Sequence, residues 1–338
     1  DFSNDAKGAL LLEPTRSNNL LQSNQFDTTW SASNASTTSG QIGVGGSLDA
    51  WKLESSGSSS SFIFQAISTS AVTTRSIYAK AGSVNWFSIN SSGSQVAYFD
   101  LSNGVVGTKS SNIIDATMES VGDGWYRCSV EIDSQSNFYV FIANADNSQA
   151  SNNGDSIYIQ YAQLEQGSYA TSYIPTQGSA VTRSADVCNN GGNEQVINST
   201  EGVLYAELST LASDSVERFV SLSNGSVLNR VSLWYYAATN GLAVAVYSGN
   251  VSQFFTTTVL ANDTLNNKIA IKYKLNDFSL VINGVVIATD TNGNTPIELN
   301  KLSFDKGDSN LPFYGNTKDV RVYNTALTDT ELQALTRI

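Results

Sequence analysis

With 338 residues, 41% of them apolar and only 14% charged, the chain is too apolar to stay disordered and long enough to bury two separate β-sandwich cores. A net charge of −12, with no cluster of Lys and Arg, sets it against nucleic acid and anionic lipid. There is no histidine, which removes Ser-His-Asp and Cys-His mechanisms and the usual imidazole-based zinc sites, so any catalysis would fall to carboxylates, Tyr, Lys or Arg.

Asp1-Phe2-Ser3 reads as the interior of a longer chain, without a signal-peptide pattern, and no apolar run of about 20 residues predicts a membrane span. Period-two alternation then dominates. In Ser76-Ile77-Tyr78-Ala79-Lys80, Ile77 and Ala79 share one face and Tyr78 and Lys80 the other. Further strands are expected at 85–89, 96–100, 125–132, 138–143 and 156–164, separated by Gly, Asn, Asp and Ser turns. Cys128 lies in one of these strands and Cys188 in a polar stretch; both thiols free, or one bridge, fit the spacing. The stretch from Tyr173 to Thr200 is rich in Gly and poor in apolar residues, which places a boundary near Asp186.

Beyond it, strands are expected at 202–208, 218–223, 231–236, 242–247, 268–273, 301–304 and 318–323, with 279–288 as a hairpin turning on Asn283-Gly284. Thr328 with Glu331 three residues on is a capping box, predicting one short helix over Asp329–Leu335. The expected fold is therefore all-β: two antiparallel jelly-roll sandwiches in tandem, residues 1–187 and 188–338, closed by one short C-terminal helix.

Two resemblances fit this layout. The run Gly8-Ala9-Leu10-Leu11-Leu12-Glu13-Pro14-Thr15-Arg16, with Gly124-Trp125-Tyr126-Arg127, Ala162-Gln163-Leu164-Glu165-Gln166-Gly167 and Val181-Thr182-Arg183-Ser184-Ala185-Asp186, resembles sandwich domains of bacteriophage tail-fibre, head-fibre and spike proteins. These are similar in layout to jelly-roll carbohydrate-binding modules. The hairpin Phe278–Gly284 and the ending 315–332 resemble a concanavalin A-like, laminin-G-like lectin domain. Together the resemblances imply a virion-surface or extracellular protein that meets a polysaccharide or cell-surface glycan, and a trimer if it builds a fibre.

Sugar binding needs aromatic faces for C–H patches and polar groups for hydroxyls. Trp30, Trp51, Trp86 and Tyr98 are the candidates in the first half, though most sandwich aromatics are core. In Trp234-Tyr235-Tyr236, alternation forces at least one ring outward, and Trp234 and Tyr236 share a face. The ligand-binding expectation rests on Trp234, Tyr236, Trp86 and Tyr98. A structural Ca2+ would use loop oxygens such as Asp155, Asp305 and Asp308, in clusters that also serve as ordinary turns.

Glycoside hydrolysis needs two carboxyl groups about 5–9.5 Å apart. The glucanases of the lectin-like fold carry an acidic pair on one strand, a motif absent here, and Glu201 and Glu207 sit about 20 Å apart along a strand. A lyase could use Arg218, Arg230, Tyr235 and Lys272 if they gathered on one sheet. The sequence thus favours a non-catalytic glycan-binding or adhesion protein, with a polysaccharide-degrading enzyme or a purely structural fibre component as the alternatives.

Overall fold

The computed structural model describes residues 8–91, 95–133, 136–236 and 240–338. Asp1-Phe2-Ser3 lies outside the described residues. The chain divides into two compact units: Thr15–Ser184, and the segment before it together with Ala185–Ile338. Every strand pairing within the named sheets is antiparallel, as short alternating runs joined by tight turns require.

The first unit is a sandwich of two six-stranded sheets. One, the front sheet, runs Val105–Lys109, Val96–Asp100, Trp86–Asn90, Phe138–Ala143, Phe62–Gln65 and Ser31–Ser33. The other, the back sheet, runs Ile113–Gly122, Trp125–Ile132, Thr73–Ala81, Ser156–Gln166, Ala50–Ser55 and Ala35–Gln41. Alternate residues of both sheets meet in one core, with Phe87, Ile89, Val140 and Ile142 facing Ile77, Ala79, Cys128 and Ile159. A two-stranded ribbon, Arg16–Asn18 with Val181–Arg183, pairs the unit's two ends.

The second unit packs a six-stranded sheet on a five-stranded one. The first runs Leu10–Leu12, Gly315–Tyr323, Glu201–Ser209, Asn267–Lys274, Phe278–Ile282 and Val285–Asp290. The second runs Val251–Val259, Gly241–Ser248, Arg230–Tyr235, Arg218–Ser223 and Lys301–Ser303. Leu204, Leu208 and Ile271 face Val220, Leu233 and Val244 across this core.

The expected division after residue 187 differs from the structure at the N-terminus. Leu10–Leu12 extends the second unit's sheet, paired with Gly315–Thr317, and Leu12 sits in that core. A three-residue apolar strand fits either sandwich, so its partner is set by tertiary packing that local pattern does not encode. Cys128 and Cys188 are both free.

Two local devices match their sequence signals. Asn283 and Gly284 have φ of 50° and 81°, the left-handed pair that a two-residue hairpin turn requires. The helix Asp329–Leu335 starts at Thr328, whose hydroxyl accepts the Glu331 N–H while the Glu331 carboxylate accepts the Thr328 N–H. Its Leu332 is fully buried against Val203, Tyr205, Ala270 and Val281 on the outer face of the six-stranded sheet. Lys272 reaches Asp277 at 2.6 Å and Asp329 at 3.0 Å, holding the first helical turn to that face. No helix among the described residues is long and apolar enough to cross a membrane.

Candidate functional site

In the Arg230–Tyr235 strand, Val231, Leu233 and Tyr235 point into the core, so Arg230, Ser232 and Trp234 stand on the outer face of the five-stranded sheet. Register then builds that face in rows. Phe219, Trp234, Ala243 and Thr257 form one row; Ser303, Ser221, Ser232, Ala245 and Phe255 the next; Lys301, Ser223, Arg230, Tyr247 and Ser252 the third. Trp234 lies parallel to Phe219, centroids 4.8 Å apart and planes at 9°, and 6.2 Å from Phe255. Phe219 is buried beneath, Trp234 is half-buried, and Phe255 is 57% exposed. The floor of this face beside the rings is made of the small side chains of Ser232, Ala243 and Ala245.

Polar groups border this floor. The Arg230 guanidinium sits 4.1 Å over the Tyr247 ring and donates to the Val227 carbonyl and, at 3.4 Å, to Ser232 Oγ. Burial first, against the opposing pull of Tyr247 and Asp308, holds its pKa below the ordinary guanidinium value. Along one side the loop after Ser303 crosses the Phe219 strand. Ser221 donates to Asp305 O, and the Lys306 ammonium lies 5.5 Å from the Phe219 ring centroid.

Trp234 thus lies on this face, and Tyr236 is half-buried just past the end of its strand. The proposed metal ligands serve the loops. Asp305, buried, accepts the Gly307 N–H at 2.6 Å; exposed Asp308 accepts the Asn310 N–H; Asp155, in the first unit, accepts the Asn152 N–H at 2.7 Å. Among the described residues no three acidic or thiol side chains gather as a metal site. The lyase candidates do not converge on one face. Tyr235 and Arg218 point inward from the five-stranded sheet, Arg230 points outward, and Lys272 belongs to the other sheet under the helix. Burial pushes the Tyr235 phenol well above the ordinary tyrosine range, which unfits it as a base at neutral pH.

Glu207 stands opposite Asp319 on the neighbouring strand, a carboxylate pair that the sequence reading did not see because the two are far apart in the chain. Each has a cation beside it: Glu207 stands opposite Lys268 on its other side, and Asp319 is bound to Arg321 at 2.5 Å. Across the three strands the row runs Lys268, Glu207, Asp319, a cation followed by two carboxylates, with Arg321 two residues along the Asp319 strand.

In the first unit, Trp30 and Trp51 are core residues, 7% and 8% exposed, and not the outward rings expected. Trp86 and Tyr98 do point outward from the front sheet, Trp86 half-buried and Tyr98 buried. Tyr98 is only 4% exposed, and a Cβ on Gly107 would lie 2.5 Å from both the Trp86 ring and Asp146, so this strand needs glycine there. On the same face stands a cluster the sequence reading missed: Phe62, Phe64, Tyr139 and Phe141, with ring centroids 4.5–6.2 Å apart. Its signal was the alternation Phe62-Ile63-Phe64 and Tyr139-Val140-Phe141, in which one face is aromatic throughout. Beside it Ser88 Oγ and Asn90 Oδ1 are buried with no protein partner.

Residues 207–333 match the concanavalin A-like lectin/glucanases superfamily. That segment contains all five strands of the sheet bearing Trp234. Among solved structures, the carbohydrate-binding module CBM40 of the Ruminococcus gnavus IT-sialidase, bound to α2,3-sialyllactose, is 20% identical, covering 45% of this chain and 95% of its own, with a TM-score of 0.37. The leech intramolecular trans-sialidase gives 17% identity over 45% of this chain and 26% of its own, TM-score 0.35. Domains LG4-5 of the mouse laminin α1 chain give 9% over 97% and 94%, TM-score 0.30. Likeness at this level leaves the ligand open. No protein of curated function matches the chain in sequence.

Proposed function

We propose that the protein binds a polysaccharide or cell-surface glycan through the outer face of the second unit's five-stranded sheet, and does not cleave it. The observation that carries this reading is the cluster of Phe219, Trp234 and Phe255 rings, exposed at the Phe255 end and bordered by Arg230, Lys301 and Lys306. A pyranose ring offers a flat C–H face to an aromatic ring and hydroxyls to Arg, Lys and Ser. The outward strand positions of this sheet carry no Asp or Glu, so the face lacks the carboxyl pair that hydrolysis needs. The matched superfamily holds lectins and glucanases alike, and the lack of that pair favours the lectin side. The phage-fibre resemblance of residues 8–187 supports a virion-surface or extracellular setting.

A glycan array on the full chain, followed by calorimetry on the strongest hit, tests the reading. Trp234→Ala is expected to weaken binding at least about tenfold, about 1.4 kcal/mol, with the melting temperature held. A wild-type chain that binds nothing on the array, or an unchanged affinity in the variant, refutes it. Release of reducing or unsaturated ends from the bound glycan would instead establish an enzyme.

One observation favours a structural second reading. The Phe62–Phe64–Tyr139–Phe141 patch has four partly covered rings on one face, the kind of surface a second copy would cover in a fibre. Mass photometry showing a trimer that Phe62→Ser and Phe64→Ser dissociate would support it, and a strict monomer would remove it.

A further inference from the structure

We infer that the first unit carries a second site, for one uncharged sugar ring, built around Tyr161. The inference stands on the first unit alone and does not depend on the Trp234 face.

The strand Ser156–Gln166 slips register against Thr73–Ala81 between Gln160 and Gln163, a β-bulge that inserts one extra residue. Tyr161 occupies it with φ of 53°. Among the described non-glycine residues with positive φ, most are Asn, Asp, Ser or Thr, and Tyr161 alone is aromatic. A bulky side chain rarely takes this conformation, and it persists only where the surroundings hold it.

The bulge has a definite effect. Ala162 and Leu164 stay in the core, while Tyr161 swings out beside the outward-facing residues of the back sheet. There its ring stacks on Tyr173, centroids 4.4 Å apart and planes at 27°, and meets Tyr78 edge-on at 5.6 Å. Its hydroxyl donates to Asp49 at 2.6 Å, and its N–H donates to Asn24 Oδ1. The Tyr173 hydroxyl is fixed in turn by Ser23 at 2.6 Å.

These rings form one wall of an open groove of about 540 Å³, whose other walls include Gln22, Asn24, Gln25 and Gln177. Such a volume suits a small ligand. Four carboxamides and two tyrosines line it with no Lys, Arg, Asp or Glu, which fits hydroxyls and disfavours phosphate, sulfate or carboxylate. Unused hydrogen-bonding capacity lies in the same walls. Gln22 Oε1 and Thr176 Oγ1, on two of the lining residues, are buried without a protein partner. Polar atoms left open in the walls of a groove that also carries stacked rings are what a hydroxyl-rich ring with a C–H face would satisfy.

The test is saturation-transfer NMR on the full chain, with the methyl glycosides of glucose, galactose, mannose and N-acetylglucosamine as probes. Transfer to ring protons of at least one probe is expected in the wild type and in Trp234→Ala. It should fall at least fivefold in Tyr173→Ala and in Tyr161→Asn, where asparagine tolerates the left-handed backbone and keeps the bulge. Should a tyrosine variant fail to fold, Gln177→Ala at the rim is expected to weaken transfer with the melting temperature unchanged. No transfer from any probe in the wild type, or equal transfer in the tyrosine and rim variants, overturns the site. Loss in Trp234→Ala alone overturns it as well while supporting the sheet-face reading, whereas loss in the groove variants alone supports the groove and leaves the sheet-face reading to the glycan array.

Discussion

The groove tyrosines report on their surroundings through titration. Burial, then the hydrogen bond and charge of Asp49, pushes the Tyr161 phenol up to about 12; burial, partly offset by Ser23, pushes Tyr173 to about 12. An exposed tyrosine titrates near 10. A folded-state pKa above the unfolded one means that the folded chain holds its proton more tightly. The resulting stability is complete below pH of about 10 and is lost as pH rises through about 12. Alkaline unfolding followed by circular dichroism should therefore fall within that window, and Tyr161→Phe should move its onset upward. An unchanged onset would mean that this phenol does not control the transition. At this scale the sequence revealed some residues and hid others for identifiable reasons. Trp234 was legible because Val231, Leu233 and Tyr235 take the opposite parity. Trp30 and Trp51 were not, because an aromatic residue looks the same in sequence whether it faces core or solvent, and Tyr98, though outward, is buried by neighbours that alternation does not show. Tyr161 was invisible because a bulge breaks the parity on which such arguments rest.

Among the elements, those written in local chemistry were read correctly. The capping box at Thr328 and the Asn283-Gly284 turn each depend on neighbours within a few residues, so both appear in the sequence as they do in the fold. Thr328→Ala is expected to cost about 1 kcal/mol through the lost cap. Leu332→Ala, which empties a fully buried position under the helix, should cost about 2–5 kcal/mol. Chemical denaturation of both variants checks the order, and a Thr328 effect equal to the Leu332 effect would contradict the packing described. Pairing across the chain was not legible. Glu207 meets Asp319, and Phe219 meets Trp234, through strand order that alternation leaves undetermined.

For the whole molecule, the decisive feature is that the first unit is an insertion: the chain leaves the second unit after Pro14 and returns at Ala185. Glu13 and Asp186 are joined by two hydrogen bonds at this point: the Glu13 carbonyl accepts the Asp186 N–H at 2.9 Å, and the Asp186 carboxylate accepts the Glu13 N–H at 2.9 Å. Joining Pro14 directly to Ala185 should therefore give a folded lectin-like unit. Residues 185–338 alone, without Leu12, should be less stable by about 3 kcal/mol, the scale of a large core truncation. Equal melting temperatures for the two fragments would show that the short N-terminal strand is dispensable. Composition could suggest two cores but not this nesting, since nothing in Leu10-Leu11-Leu12 names its partner. The nesting also sets a schedule for synthesis. Leu10 leaves the ribosome roughly 300 residues before Thr317, at ordinary rates a wait of roughly 15 to 60 s. Throughout that interval three leucines travel without their sheet, and a cell making this protein must keep them from sticking to something else.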